Sequence, residues 1–303
     1  MKYSEYSKLT GITQSELDQW HLHGTAMDLV EREPIAAMQY GCLFEALIES
    51  RATDRIVTDE FTRVDLLNAN GNQAECPKEV VAILDKNLSG DLYTDMLKDL
   101  YVYKKDGELN GRYETRHKWI DFYLTNQGKI AIPIDIWDAA ERCAQSALKC
   151  RPFEGDEYHQ QYSRFTLEEL IFKGEFQVPR QWGSQGVQKK GLLDFVIENE
   201  SDVIIFDFKL TSRLPVFMGS LKSHGWIQCL HYAESYKKPV SFVYIVGTLP
   251  PPYEAGAVRI RRDSITFAEP KYLMLCQEYS LWNDMGRKYQ GYRKPIDARL
   301  YIE

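Results

Sequence analysis

The chain has six cysteines, Cys42, Cys76, Cys143, Cys150, Cys229 and Cys276, and no two of them form a C-x-x-C pair. Zinc-ribbon and iron–sulfur spacing is therefore absent, and in a reducing compartment the six read as buried thiols. No apolar run approaches the ~18 residues that a membrane span needs. The opening Met1-Lys2-Tyr3-Ser4-Glu5-Tyr6 lacks the apolar segment of a secretory signal. The expectation is a cytoplasmic protein with no membrane partner. No G-x-x-x-x-G-K-[S/T] loop is present for nucleotide-driven motion, and no G-x-S-x-G for serine hydrolysis. His21, His23, His117, His159, His224 and His231 show no metal-ligand spacing. Positive charge is also in short supply: 37 basic residues face 44 acidic ones, a net charge of −7. That excludes a simple nucleic-acid coating protein but not an enzyme with a local basic track. Such stretches exist at Lys189-Lys190, at Lys209, Arg213 and Lys222, and at Arg259, Arg261 and Arg262. Taken singly, each reads as a solvated face.

What is present is a globular composition: 303 residues, 44% apolar and 27% charged, enough for one large core or two ordinary ones. No repeat, low-complexity segment or clear linker divides it, so a single domain over residues 1–303 is the simplest account. Residues 1–150 read as mainly helical. Thr13-Gln14-Ser15-Glu16-Leu17 offers a cap, and Pro34 stands before an apolar helix over 35–48. Residues 68–72 read as a loop, 77–103 as helical, 104–107 and 126–129 as turns, and Pro133-Ile134-Asp135 as the entry to a helix ending near 150. Residues 152–163 read as a loop, and 165–172 as a short helix. Strands then follow at 175–179, 191–197 and 203–210, a helix at 225–236, strands at 240–246 and 258–261, and a final helix over 270–290. Residues 51–125 carry no recognisable chemistry.

Within that strand-rich half, two apolar stretches carry charges that a strand core would not want. They are Gly191-Leu192-Leu193-Asp194-Phe195-Val196-Ile197 and Val203-Ile204-Ile205-Phe206-Asp207-Phe208-Lys209. The polar linker Glu198-Asn199-Glu200-Ser201-Asp202 suits a hairpin. Pairing would gather Asp194, Asp207 and Lys209. Two carboxylates with oxygen-only chemistry suit Mg²⁺ or Mn²⁺, and a neighbouring lysine can orient or activate a water for phosphodiester hydrolysis.

Asp, a linker and then Asp-x-Lys after an apolar strand resembles the core of the PD-(D/E)xK nuclease superfamily. More of the chain follows the RecE (exonuclease VIII) and YqaJ-like viral recombination exonucleases. Glu175 opens the preceding strand, where the superfamily often has an acid. Gln228 and Tyr232, one turn apart, match a Q-x-x-x-Y element after the D-x-K strand. Gly41-Cys42-Leu43-Phe44-Glu45 stands where relatives carry G-x-x-x-H, with Glu45 in the histidine's place. Trp282, Gly286 and Gln290-Gly291-Tyr292 are similar to the family's ending. Leu192-Leu193-Asp194 departs from R-P-D, and Asp207-Phe208-Lys209-Leu210-Thr211 from D-x-K-T-T.

The resemblance implies an α/β fold with a restriction-endonuclease-like core, a mixed central sheet flanked by helices, with helical additions. It implies metal ligation by Asp194, Asp207, Glu45 and the carbonyl of Phe208, with Glu175 as an additional acid. Lys209 would position the water, and Gln228 and Tyr232 the scissile strand. It further implies a Mg²⁺-dependent deoxyribonuclease degrading double-stranded DNA ends 5′-to-3′ in phage-type recombination. A homo-oligomeric ring and a single-strand annealing partner belong to the same implication. The same core serves endonucleases and Cas4-like nucleases, and a non-catalytic DNA- or protein-binding module on this fold is the alternative that Glu45 favours.

Overall fold

A computed structural model describes residues 6, 8–23, 36–66, 74–84, 90–184, 186–260 and 262–284, with side chains left aside at 19, 21–23, 36, 262–265 and 282–284. The chain forms two compact units. Residues Ile56–Asp138 make one, and Met1–Arg55 with Ala139–Glu303 make the other.

In chain order, α1 (Gln14–His23) and α2 (Ala36–Glu49) come first. α1 starts as its sequence suggests: the Glu16 amide donates to Thr13 Oγ1 (3.2 Å) and the Thr13 amide to Glu16 Oε2 (2.7 Å), a capping box that satisfies two orphan donors at once. α2 buries Leu43, Phe44, Ala46 and Ile48.

The inserted unit holds α3 (Val57–Glu60), β1 (Phe61–Val64), α4 (Lys78–Leu84), α5 (Gly90–Lys98), α6 (Glu114–Thr125) and β2 (Ile130–Pro133). β1 and β2 pair in parallel, Phe61 opposite Ile130. A parallel pair needs a long crossover, and the helices between them supply it. Val64, Val80, Ile83, Leu97, Trp119 and Ile120 form this unit's own core. The stretch over 77–103 expected as helical contains two helices, and the loop expected at 68–72 lies outside the described residues.

α7 (Ile134–Lys149) follows, then α8 (Leu167–Leu170), capped by a Thr166/Glu169 box, and the strands β3 (Glu175–Ser184), β4 (Val187–Glu198) and β5 (Val203–Thr211). α9 (Leu214–Ala233), β6 (Val240–Thr248), β7 (Ala255–Ile260) and α10 (Arg262–Asp284) complete the fold. The sheet order is β3-β4-β5-β6-β7, antiparallel except for the parallel β5–β6 pair that α9 bridges. β5 runs from Val203 to Phe208 without an exposed residue, as a strand covered on both faces should. One face packs on α1, α9 and α10 through Leu17, Trp20, Ile205, Trp226, Phe242 and Leu275. The other packs on α2, α7 and α8 through Phe44, Ala147, Leu167, Phe206 and Ile245. This is a mixed α/β architecture with a five-stranded mixed sheet flanked by helices.

Several boundaries differ from expectation: β3 runs on to Ser184 rather than 179, and β4 starts at Val187 rather than 191. α9 starts at Leu214 rather than near 225, because Pro215 in its first turn needs no intrahelical donor. α10 starts at Arg262 rather than 270 and carries Pro270 inside it. Gly286, Gln290, Gly291 and Tyr292, and the end of the helix expected to 290, lie outside the described residues. Of the cysteines, Cys143, Cys229 and Cys276 are buried thiols, but Cys42 is exposed on α2.

Candidate active site

The expected hairpin forms, and its register creates a fork. The β4–β5 ladder runs from Glu198 opposite Val203 to Phe195 opposite Phe206 and then stops. The next position in that register faces Asp194 towards Asp207. Beyond it, β4 continues along β3, with Gly191 opposite Arg180, and β5 continues along β6, with Lys209 opposite Val246. The Phe208 amide at the fork has lost its strand partner, and the Asp194 side chain replaces it: Phe208 N–H donates to Asp194 Oδ2 at 2.9 Å.

Asp207 is 2% exposed, and both of its oxygens are used. Oδ1 accepts from Gln228 Nε2 at 2.6 Å, and Oδ2 pairs with the Lys209 ammonium, two residues along on the same strand face. The Gln228 carboxamide is held from its other end by the Tyr244 hydroxyl, which donates to Oε1 at 3.1 Å. Gln228 and Tyr232 do share one helix face, yet Gln228 is spent on Asp207. Tyr232 lies beside it, its hydroxyl pushed far up by burial and by the charges of Asp207 and Asp194. Gly191 is needed there: a Cβ would come within 2.7 Å of the Tyr232 ring.

α2 brings Glu45 to the same electrostatic group. Burial pushes its carboxyl up to about 7; Arg55 and Lys209 oppose the shift, while Glu49 and Asp207 reinforce it. Its Oε1 accepts from Gln177 Nε2. Asp194 is raised well above the usual carboxylate range by burial, then by Glu45 and Asp207. Burial alone would lower the Lys209 pKa, but Asp207, Asp194 and Glu45 together raise it, so the ammonium keeps its proton. Lys209 remains partly open to solvent, its side chain 37% exposed. Glu175 sits exposed at the start of β3, opposite Val196, and its charge is felt at Tyr236.

Gln177 and Tyr244 were not anticipated from sequence. Gln177 holds a left-handed φ of 51° inside β3, and nothing in a glutamine announces that. Tyr244 had a usable signal, a hydroxyl within the apolar run Phe242-Val243-Tyr244-Ile245-Val246. Lys189, expected on a solvated face, is 1% exposed instead, with its ammonium on Glu234 and donating to Ser184 Oγ at 3.0 Å. His231 is buried too, bonded through Nδ1 to Tyr272 Oη (3.0 Å) and through Nε2 to the Lys190 carbonyl (2.9 Å).

Asp194, Asp207 and Glu45 are hard oxygen donors gathered in one place, with the Lys209 ammonium and, at Glu45, the Arg55 guanidinium against them. A divalent cation would relieve that excess. Among the described residues no group of three or more His, Cys, Asp or Glu side chains is arranged to hold a metal. Mg²⁺ is commonly held by one or two carboxylates with water and substrate oxygens completing its shell, so the donor set fits that ion without a third ligand in place. Among the described residues no helix is long and apolar enough to cross a membrane.

No family model and no curated protein sequence matches the chain. Among solved structures it aligns, over 90% of its length and 97% of the other chain, with a protein from Eubacterium rectale proposed to be an exonuclease, at 14% identity and a TM-score of 0.33. It aligns with SSO0001 over 54% of its length and 69% of that chain, at 17% identity and a TM-score of 0.24. Both TM-scores are too low for these alignments to carry an inference.

Proposed function

We propose that the protein is a metal-dependent deoxyribonuclease with a PD-(D/E)xK-type core. The observation that carries this reading is the fork itself: Asp194 and Asp207 face one another where two strands part, with Lys209 on the second acid. Asp194 and Asp207 would hold Mg²⁺ or Mn²⁺, with Glu45 and the Phe208 carbonyl as further oxygens. The bound ion would supply Lewis-acid stabilisation of the charge that develops on the phosphoryl group and the leaving oxygen. Lys209, kept protonated by its carboxylates, serves as a hydrogen-bond donor that fixes the attacking water or a phosphoryl oxygen. Gln228 and Tyr244 hold Asp207 in one rotamer, so its free rotation costs nothing during the reaction. Tyr232 stands one turn from Gln228, beside the strand path.

Within this reading, an exonuclease acting 5′-to-3′ on double-stranded DNA ends, a homo-oligomeric assembly and a single-strand annealing partner are the finer proposals, and they rest on the family resemblance. Digestion of linear and closed circular duplex DNA with Mg²⁺, beside an Asp207→Ala control, tests it. Loss of linear DNA only, abolished in the control, supports the exonuclease; a cut circle makes it an endonuclease. Duplexes labelled at the 5′ or 3′ end then read the polarity. Binding without cleavage of either form overturns the enzyme reading and favours a non-catalytic module, for which Glu45 in place of a histidine is the specific observation.

A further inference from the structure

From Phe208 to Ala233 the chain has no Asp or Glu, although about one residue in seven of the whole is acidic. This acid-free run starts at the Asp207/Lys209 pair and forms the end of β5 and all of α9. Its first half is open. Ser212, Arg213, Pro215, Gly219, Lys222 and Ser223 are exposed, as are Leu214 and Val216, at 42% and 64%. Helical spacing puts Pro215, Val216, Gly219, Lys222 and Ser223 on one side of α9, while Leu221 and Trp226 face the core. A Cβ at Gly219 would meet nothing within 4 Å. Among the described residues neither Arg213 nor Lys222 has an ion-pair partner. Further down the same helix, Gln228 bonds Asp207.

We infer that this surface, Arg213, Leu214, Val216, Lys222 and Ser223, receives an unpaired nucleic-acid strand beside the candidate active site, an inference that extends the nuclease reading. Uncompensated cations on an acidic protein suit phosphates. Exposed aliphatic side chains between them suit base faces. A duplex hides its base faces by stacking and yields them only when kinked, whereas an unpaired strand offers both kinds of group side by side. A phosphate-only ligand would leave Leu214 and Val216 without a use.

The test is binding, in chelator so that nothing is cleaved, of a fluorescent single-stranded oligonucleotide and its blunt duplex. Arg213→Ala with Lys222→Ala should weaken single-strand binding and reduce the slope of log K against log salt by about 1.4, or ~0.7 for each lost phosphate contact. Val216→Ser should weaken single-strand binding about tenfold through lost apolar burial, leave the salt slope unchanged and leave duplex binding within about twofold. No single-strand binding by the native protein, or unchanged binding in both variants, overturns the inference. So does equal loss on single strand and duplex. A fall in sedimentation mass in Val216→Ser would instead make the surface an interface between copies of this chain. Native protein that binds the strand but never cleaves DNA removes the nuclease reading and leaves this one standing.

Discussion

Two groups of charged side chains lie on the five-stranded sheet and the helices beside it, and they are built on opposite principles. Around Lys189 and Glu234 every charge is answered. The ammonium meets Glu234 and Ser184; Glu234 also accepts from Trp182 Nε1 and from the Tyr272 hydroxyl, each at 3.2 Å. Burial opposes it, yet these bonds hold the Glu234 carboxyl below its ordinary range, and burial pushes His231 down to about 4, keeping it neutral. Around Asp207 the sum is unbalanced: Asp194, Asp207 and Glu45 face the Lys209 ammonium while Arg55 is paired with Glu49, and Glu45 and Asp194 are pushed up rather than down. A closed network leaves no buried charge without a partner, whereas an excess of buried like charge costs stability and persists where a ligand is to be held. The contrast separates a structural pair from a candidate site although both are buried.

The largest expected effect breaks the unbalanced group. Asp207→Asn should reduce Mg²⁺-dependent DNA cleavage by on the order of 10³-fold while leaving the melting temperature unchanged or higher, since it removes one of the repelling charges. Nuclease assay and thermal melting on the same preparation check both halves; a destabilised protein would make Asp207 structural. Breaking the closed group should do the reverse. Glu234→Ala leaves Lys189 buried without its carboxylate and should cost roughly 3–5 kcal/mol in denaturant unfolding, with cleavage per folded molecule intact.

The two groups should also respond to pH with opposite sign. The Glu45 pKa is raised from 4.5 to about 7, so its favourable contribution is complete below about 4.5 and is lost as pH rises through 7. The His231 pKa is lowered from 6.5 to about 4, so its contribution is present above 6.5 and lost as pH falls through 4. In the native chain His231 works against the falls that Glu45 and Asp194 contribute. Glu45→Gln should remove one downward contribution while Asp194 keeps its own, so the variant gains on the native protein as pH rises from 4.5 to 7 and exceeds it by roughly 3 kcal/mol at the upper end. A parallel pH profile for the two proteins would disprove the assignment. In the same vein, Mg²⁺ should raise the native melting temperature more at pH 8 than at pH 5.5, because the carboxylates must lose their protons to bind it. No shift at either pH would argue against the metal. The smallest effect sharpens the join between the regions: Gly191→Ala presses a methyl on the Tyr232 ring and should cost about 1–3 kcal/mol, read by thermal melting.

Local chemistry made several of these features legible before any tertiary contact was considered. The Thr13/Glu16 box, the two charged apolar strands, the polar turn joining them and the spacing of Gln228 and Tyr232 are all short-range patterns, and short-range patterns survive in sequence. Helix ends were less legible. The final helix was expected to open at Pro270, yet Pro270 rides within α10, because packing of α10 against the sheet outweighs a single lost backbone bond.

What the sequence determined by itself was therefore the pairing of two charged apolar strands, since two acids and a lysine on adjoining strands are legible in residue type and spacing. What only the tertiary structure decided was the balance of charge. It set Lys189 in a closed network rather than in solvent, brought Glu45 and Gln177 to the fork from distant segments, and left the Lys209 ammonium facing three carboxylates. The physical reason is that solvation and the distance between charges govern their energy, and both depend on contacts between segments far apart in the chain.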